Sequence, residues 1–553
     1  MKCLAILILL LPFCGMAQEL PEYDSLPTHL LSEITIQSSA EKDTLQNFFR
    51  ANKSATTEDI LNRMQGVYLI KRGSYGLEPM LQGMTAGQIN VTIDGMKMFG
   101  ACTDKMDPVT IYVEPQNLKA MSIKPGSSGS KMGSTVGGTI DMQLAQPSFS
   151  TKTFSGSAGI GYQGISKGAN AYFNGNYSSK KSAYNISLNY RKAHNYKDGN
   201  GDIVPYSQYE KFNFSGGGKW SIGKDTLYAN MLLDDGWNIG FSALPMDVGL
   251  AKARLYALTY QRVRCHGLVE TFRVKGYYNS IYHQMDDTHR TDISMHMDMP
   301  GESKTTGMFV EGRLHRLKNH AVSFRSDFYY NKVLAEMTMY PENEAPMYMQ
   351  TWPASGRAAA GLYLEDHYSL STTTKIKADV RVDFTASTLD KGIGKDQLEV
   401  FYPEIQNTTS IITKSFHASI QQMAGNSFIT ELHAGYGERI PTLSETYGFY
   451  LFSRNDGYDY IGNVNLKAEK SWSGDLMFTY FTSSFQVSAT GFYKYLPDYI
   501  FASAQADIRP MTPGANGVKV YHNIQSATFI GGDFNIIANL THHCRLVNVT
   551  KYT

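Results

Sequence analysis

From about residue 150 onward the chain is written in short stretches that alternate apolar with polar side chains, and Gly, Ser, Asn and Tyr become common. In Tyr184-Asn185-Ile186-Ser187-Leu188-Asn189-Tyr190 every apolar side chain falls on one face and Asn, Ser, Asn on the other. A period of two is a strand. A strand that is apolar outside and polar inside fits a barrel wall with lipid on one side and water on the other. Phe485, Val487 and Ala489 repeat the pattern against Gln486, Ser488 and Thr490. Tyrosines and phenylalanines near the strand ends suit interfacial girdles, and the loops between strands are often long and polar. A soluble sandwich or propeller is the alternative, but it needs a second apolar inner face and shorter loops. Beyond the N-terminus no run reaches the roughly 18 to 20 apolar residues that cross a bilayer as a helix, which excludes a polytopic helical protein. The fold class read here is a transmembrane antiparallel β-barrel.

The first residues set the compartment. Lys2, an apolar run from Leu4 to Phe13 and Gly15-Met16-Ala17 read as a secretory signal peptide over residues 1–17, cut before Gln18. A lipidated Cys14 is the alternative, but Phe13 is large where a small residue should precede such a cysteine. Export leaves Cys102, Cys265 and Cys544, an odd number for an oxidising compartment, so at least one thiol is free or has another role. Cys265 and Cys544 pair or stay as buried thiols; the sequence does not choose. With 51 basic against 50 acidic residues, nucleic acid is not an expected partner.

Residues 41–147 do not read as barrel. Thr57 to Val67 is a capped amphipathic helix running into a strand, with Glu58 and Asp59 at its positive end. Gln88 to Ile93 is a strand closing on the turn Asp94-Gly95. Met121-Ser122-Ile123-Lys124-Pro125-Gly126 and Gly133 to Met142 follow. In this order the segments resemble the plug domain of TonB-dependent outer-membrane receptors. Leu31-Ser32-Glu33-Ile34-Thr35-Ile36, in the segment 18–40, looks like a TonB box, a short β-prone stretch able to add to a partner's sheet edge; a frayed strand is the plain alternative. Arg439 to Tyr447 and Gly462 to Lys470 are similar to barrel signatures of the same family. The resemblance implies an N-terminal α+β plug inside a 22-stranded barrel over residues 148–553. It also implies a monomer in outer-membrane lipid of a Gram-negative bacterium, and TonB with its ExbB and ExbD energising complex as partners. The chain stops at Val549-Thr550-Lys551-Tyr552-Thr553 in mid-pattern, so the barrel is expected to be incomplete, lacking its last strands.

Twenty-five methionines are many for this length, and they read as crowded into loops. Met96, Met98 and Met106 surround Cys102; Met285, Met295, Met297 and Met299 lie close together; Met337, Met339, Met347 and Met349 form another group. Thioether and thiolate sulfur with imidazole is the ligand set for Cu(I). In Cys102-Thr103-Asp104-Lys105-Met106 the two sulfurs face the same way if the segment makes a helical turn. Alternation from Arg273 to Met285 puts Lys275, Asn279, His283 and Met285 on the lumen side. These C-x-x-x-M and H-x-M motifs, with Leu244-Pro245-Met246-Asp247, resemble the copper-receptor subgroup of the family. That resemblance implies Cys102, Met106, His283 and Met285 as ligands of one copper site, and the chemistry allows Met295, His296, Met297 and Met299 as a relay feeding it. A free surface thiol and an ordinary lumen histidine are the plain readings of Cys102 and His283, and an unstructured loop that of the relay. His542-His543-Cys544 sits on a strand whose neighbours face opposite sides, and Asp198-Gly199-Asn200-Gly201-Asp202 reads as a tight turn, lacking the later Glu of a calcium loop.

The expected function is therefore energised import of copper, the transported ligand, without a catalytic cofactor or enzymatic residues. Two rivals stay open: a receptor for a siderophore, haem or cobalamin, and a non-transporting surface adhesion protein.

Overall fold

The computed structural model describes residues 55–263, 267–291, 293, 295–315, 317–453, 456–541 and 544–553. The signal peptide, the TonB-box segment Leu31–Ile36, Cys265 and the pair His542-His543 lie outside the described residues.

The inner domain begins with α1 (Thr57–Leu61), whose capping box is complete: Asp59 N–H donates to Thr56 Oγ1 at 3.2 Å and Thr56 N–H to Asp59 Oδ2 at 2.9 Å. β1 (Val67–Ile70) and β2 (Glu78–Leu81) form a hairpin. A four-stranded sheet follows, in the order β4-β3-β6-β5, from β3 (Ile89–Ile93), β4 (Met96–Lys97), β5 (Leu118–Pro125) and β6 (Gly138–Leu144). The β3–β4 turn is the Asp94-Gly95 turn read from the sequence, with both residues left-handed at φ +52° and +73°. Asp141 fixes it by accepting the Gly95 amide at 2.8 Å. Ile93, Met121, Ile140 and Met142 bury the core of this unit.

Around it, strands β7 (Phe154–Gln163) to β25 (Arg545–Tyr552) pair antiparallel in sequence order, except that the short β20 (Leu451–Ser453) and β21 (Tyr458–Ile461) form a hairpin in the connection after β19 (Phe428–Arg439). Seventeen strands of this wall are eight residues or longer among the described residues, against the twenty-two of the family barrel that the sequence resembles. Tyr184, Ile186 and Tyr190 are exposed outward while Ser187 and Asn189 are buried, as the alternation requires. No helix among the described residues is long and apolar enough to cross a membrane, which says nothing of strands. The lengths of β14 (His296–Leu314), β15 (His320–Tyr340) and β16 (Met347–Ser369), 19, 21 and 23 residues, exceed the roughly 9 to 11 needed for the crossing, so these strands project well beyond the bilayer. Short turns such as 223–224 and 482–484 mark the periplasmic rim, and long connections such as 390–407 the outer one.

Polar contacts seat the plug against the wall along its length. Arg191 donates to the Ala55 carbonyl at 2.6 Å, Lys551 to the carbonyls of Asn62 and Val67 at 2.8 and 2.6 Å, and Asn279 to that of Lys97 at 3.0 Å. Gln88 donates to Glu469 at 2.7 Å, and Glu469 shares Arg439 with Glu445. Glu114 pairs with Arg191 at 2.7 Å and Lys211 at 2.9 Å. Burial alone would raise its carboxyl, but Arg191 and Lys211 overcome that and hold it at about 2. A depressed carboxyl stabilises the fold in full above its unfolded value, near 4.5, and progressively less as pH falls toward 2. Pepsin, active over that window, is expected to begin cutting the plug as pH drops from about 4.5 to 2, and to cut a Glu114→Gln variant already at pH 4.5. A plug equally resistant at both ends of the window would show that this pairing does not hold it.

Candidate metal centre

After β4 the chain leaves the sheet and packs against the wall. The C-x-x-x-M segment is not the helical turn that its spacing suggests: the Lys105 amide donates to the Cys102 carbonyl at 3.2 Å, and Lys105 is left-handed at φ +57°. The next amide, Met106 N–H, then reaches back to Cys102 Sγ at 3.4 Å. Asp107 clamps the turn from below. Its Oδ2 accepts the Ala101 amide at 3.0 Å and its Oδ1 the Cys102 amide at 3.2 Å, while Tyr112 Oη–H donates to Oδ2 at 3.0 Å.

The wall opposite is β13 (Val269–Asp286). Lys275, Asn279, His283 and Met285 all face inward, as alternation requires. Lys275 and Asn279 donate to plug carbonyls, which fixes the strand's height against the plug. Two residues of β13 then meet the turn. Met285 Sδ lies 3.4 Å from Cys102 Sγ, and His283 Nδ1 lies 3.7 Å from Asp107 Oδ2. The ligating atoms of Cys102, Asp107 and His283 fall within 4.8 Å of one another. His283 is 1% exposed, and neither ring nitrogen has a hydrogen-bond partner among the described residues. Burial pushes the Cys102 thiol well above its usual range, and the Asp107 and Asp104 carboxylates add to the rise. Met106 is buried beside the turn.

Thus Cys102 converges with His283 and Met285, which lie 181 and 183 residues further along the chain, with Met106 adjoining. Above them opens a cavity of about 730 Å³ whose lining includes Met106, Met246, Met295, Met297, Met299 and Met337. Most of the methionines read as lying in loops are on strands instead. Met285 sits opposite Met299, Met297 opposite Met339, and Met337 opposite Met349 across β13 to β16. The polar character that marks a loop here belongs to strand extensions outside the bilayer, where both faces need not be apolar. His296 is exposed and bonds Asp287 at 3.0 Å, away from the cavity lining. Asp198 spends its side chain on the amides of Asn200 and Asp202, consistent with a tight turn.

Sequence reasoning missed Asp107 and Tyr112, and with them Gly301 of β14, which pairs with His283 and lets the Ala101 carbonyl pack onto its bare Cα. Asp107 follows Met106 directly and precedes Pro108, so an acidic residue at the end of the motif was in view; what it holds is visible only in the folded turn.

Two family models match the sequence: "TonB dependent receptor-like, beta-barrel" over residues 146–553 and "TonB-dependent Receptor Plug Domain" over residues 37–139. No curated protein matches it. Among solved structures, the copper transporter OprC superposes with a TM-score of 0.77 at 18% identity, over 90% of this chain and 76% of that one. The hemophore receptor HasR of Serratia marcescens, solved as a double mutant with its hemophore HasA and heme, gives 0.68 at 15% identity, over 88% and 77%. The siderophore receptor PirA from Pseudomonas aeruginosa gives 0.62 at 16% identity, over 90% and 84%. At these identities the likeness is one of fold.

Proposed function

The chain belongs to the TonB-dependent receptor family, outer-membrane receptors of Gram-negative bacteria, and we propose that its cargo is copper, bound between plug and barrel by Cys102, Met106, His283 and Met285. One observation carries this reading: a buried imidazole with both nitrogens unpartnered, beside a thiol that touches a thioether. A buried polar group without a partner is costly, and native structures tolerate one mainly where something else is meant to occupy it. Carbon-lined ligands such as haem do not need two sulfurs and an imidazole at one point; a soft ion does. The ion binds as the thiol gives up its proton, so binding releases about one proton to solvent.

The methionine-lined cavity above supplies weak thioether stations, Met295, Met297 and Met299 among them. Release inward follows when the energised TonB complex, engaging Leu31–Ile36, rearranges the plug. Copper is cargo throughout, and no covalent chemistry is assigned to the chain.

The test is metal content by mass spectrometry of the purified, folded protein after copper exposure. Near-stoichiometric copper is expected in the wild type and none in a variant carrying Cys102→Ala, Met106→Ala, His283→Ala and Met285→Ala. Wild-type protein that is folded and copper-free would reject the cargo. Replacing residues 31–36 is expected to abolish cellular copper uptake; intact uptake would reject energised import.

A further inference from the structure

We propose that Asp107 is a positioning residue of this site: its carboxylate accepts a hydrogen bond from Nδ1–H of His283, leaving Nε2 as the nitrogen that meets the ion, and pins the Cys102 backbone at the same time. The assignment rests on the copper reading above and adds a residue that the two sulfur motifs do not contain.

The geometry is specific about which nitrogen is which. Asp107 Oδ2 faces Nδ1, not Nε2, from 3.7 Å. That is beyond hydrogen-bond range, and a closure of about half an ångström would make the bond. Histidines that bind metals nearly always donate their other ring N–H to a carboxylate, carbonyl or water, which fixes tautomer and ring plane. Asp107 is the carboxylate placed to do so here, and no other acceptor bonds either ring nitrogen among the described residues.

Asp107 is poorly suited to bind the ion itself. Its oxygens face hydrogen-bond donors, the Cys102 amide on one side and the Ala101 amide and Tyr112 hydroxyl on the other, a setting that suits a further N–H and not a cation. A carboxylate oxygen is also a hard donor, disfavoured by Cu(I) beside thiolate and thioether. Its two amide bonds belong to Ala101 and Cys102, so the group that orients the barrel ligand also sets the height of the plug ligand. One side chain thereby brings the C-x-x-x-M turn and the H-x-M strand into register.

The experiment uses the full-length protein in detergent, loaded anaerobically with Cu(I), and compares wild type with Asp107→Asn. With its oxygen kept on the Cys102 amide, asparagine turns its NH2 group toward Nδ1 and the Ala101 amide, so nothing there accepts Nδ1–H. Copper-edge X-ray absorption is expected to show sulfur scatterers and the imidazole multiple-scattering signature in the wild type. In Asp107→Asn the sulfur scatterers remain, the imidazole signature is lost, and Cu(I) affinity by chelator competition falls about 10- to 100-fold. An unchanged imidazole signature overturns the assignment. So does loss of sulfur and imidazole together, which would make Asp107 a scaffold for the turn and nothing more.

If Asp107→Asn does not fold, Tyr112→Phe decides. It removes one of the bonds holding Oδ2, and a drop in affinity of about fivefold with a weakened imidazole signature is expected; no change in either overturns the proposal. Wild-type protein that takes up no Cu(I) overturns the copper reading, and this assignment with it, whereas copper-loaded wild type with an indifferent Asp107→Asn overturns the assignment alone.

Discussion

Replacing Gly301 by alanine is expected to cripple the proposed copper site while leaving the barrel folded. Gly301 lies on β14 directly opposite His283, and Ala101, the residue before the sulfur ligand, packs its carbonyl onto the bare Cα. A methyl group there meets the Ala101 carbonyl oxygen itself. Backbone cannot rotate away as a flexible side chain would, so the Cys102 turn must lift off the wall. A donor set tolerates only a few tenths of an ångström in its distances, and disturbing what positions a ligand costs about 10- to 100-fold in metal affinity. Cu(I) affinity should therefore fall about 100-fold, with the gel-shift of the folded barrel unchanged. Gly276→Ala is the control, since an added Cβ there meets nothing within 4 Å. Copper affinity within a factor of three of wild type in Gly301→Ala would mean that the turn is not held where the structure puts it.

The second large effect is on stability. Arg439 is 3% exposed and bridges Glu445, at 2.7 and 3.0 Å, and Glu469, at 2.7 Å. Glu469 also accepts the plug's Gln88 and the amide of Ile500. Taking away the guanidinium leaves two carboxylates facing each other out of water, and breaking a buried pair in this way costs about 3 to 5 kcal/mol. Arg439→Ala is expected to lower the thermal midpoint sharply and to expose the plug to protease first, because Gln88 loses a fixed acceptor. Neutralising the stranded acids with Glu445→Gln and Glu469→Gln in the same chain should return most of the loss. A loss below about 1 kcal/mol in the single variant would place the bridge in a far wetter setting than its burial indicates.

What could be read from the chain alone divides along the range of the interactions. Strand alternation is local, so the lipid-facing Tyr184, Ile186 and Tyr190 and the inward His283 and Met285 were legible from spacing alone. The Asp94-Gly95 turn was legible for the same reason, since two adjacent left-handed residues need that dipeptide chemistry. The methionine groups were misplaced because a strand that leaves the bilayer no longer has an apolar face to announce it. The shape of the Cys102 turn was hidden by Lys105, whose left-handed backbone no pattern of side chains reveals. Asp107 was beyond reach for a further reason: its partners are Ala101 and Cys102 amides, the Tyr112 hydroxyl and a histidine on another domain, and only the last carries a side chain that a motif would include. The pairing of Cys102 with Met285 came from a family resemblance, because no local rule links positions so far apart.

The order in which the plug is tied to the wall has a mechanical consequence. Its anchor points run along the chain from Ala55, held by Arg191, through Asn62 and Val67, both held by Lys551, and Gln88, held by Glu469, to Lys97, held by Asn279. A pull entering from the N-terminal side loads them one after another, as a strip of tape is peeled, and never all at once, as in shear. The force required is then that of the strongest single tether and not of their sum. Along such a path the sulfur turn feels tension only after every one of these tethers has given way, so the ligand set proposed there keeps its place through the first part of the pull.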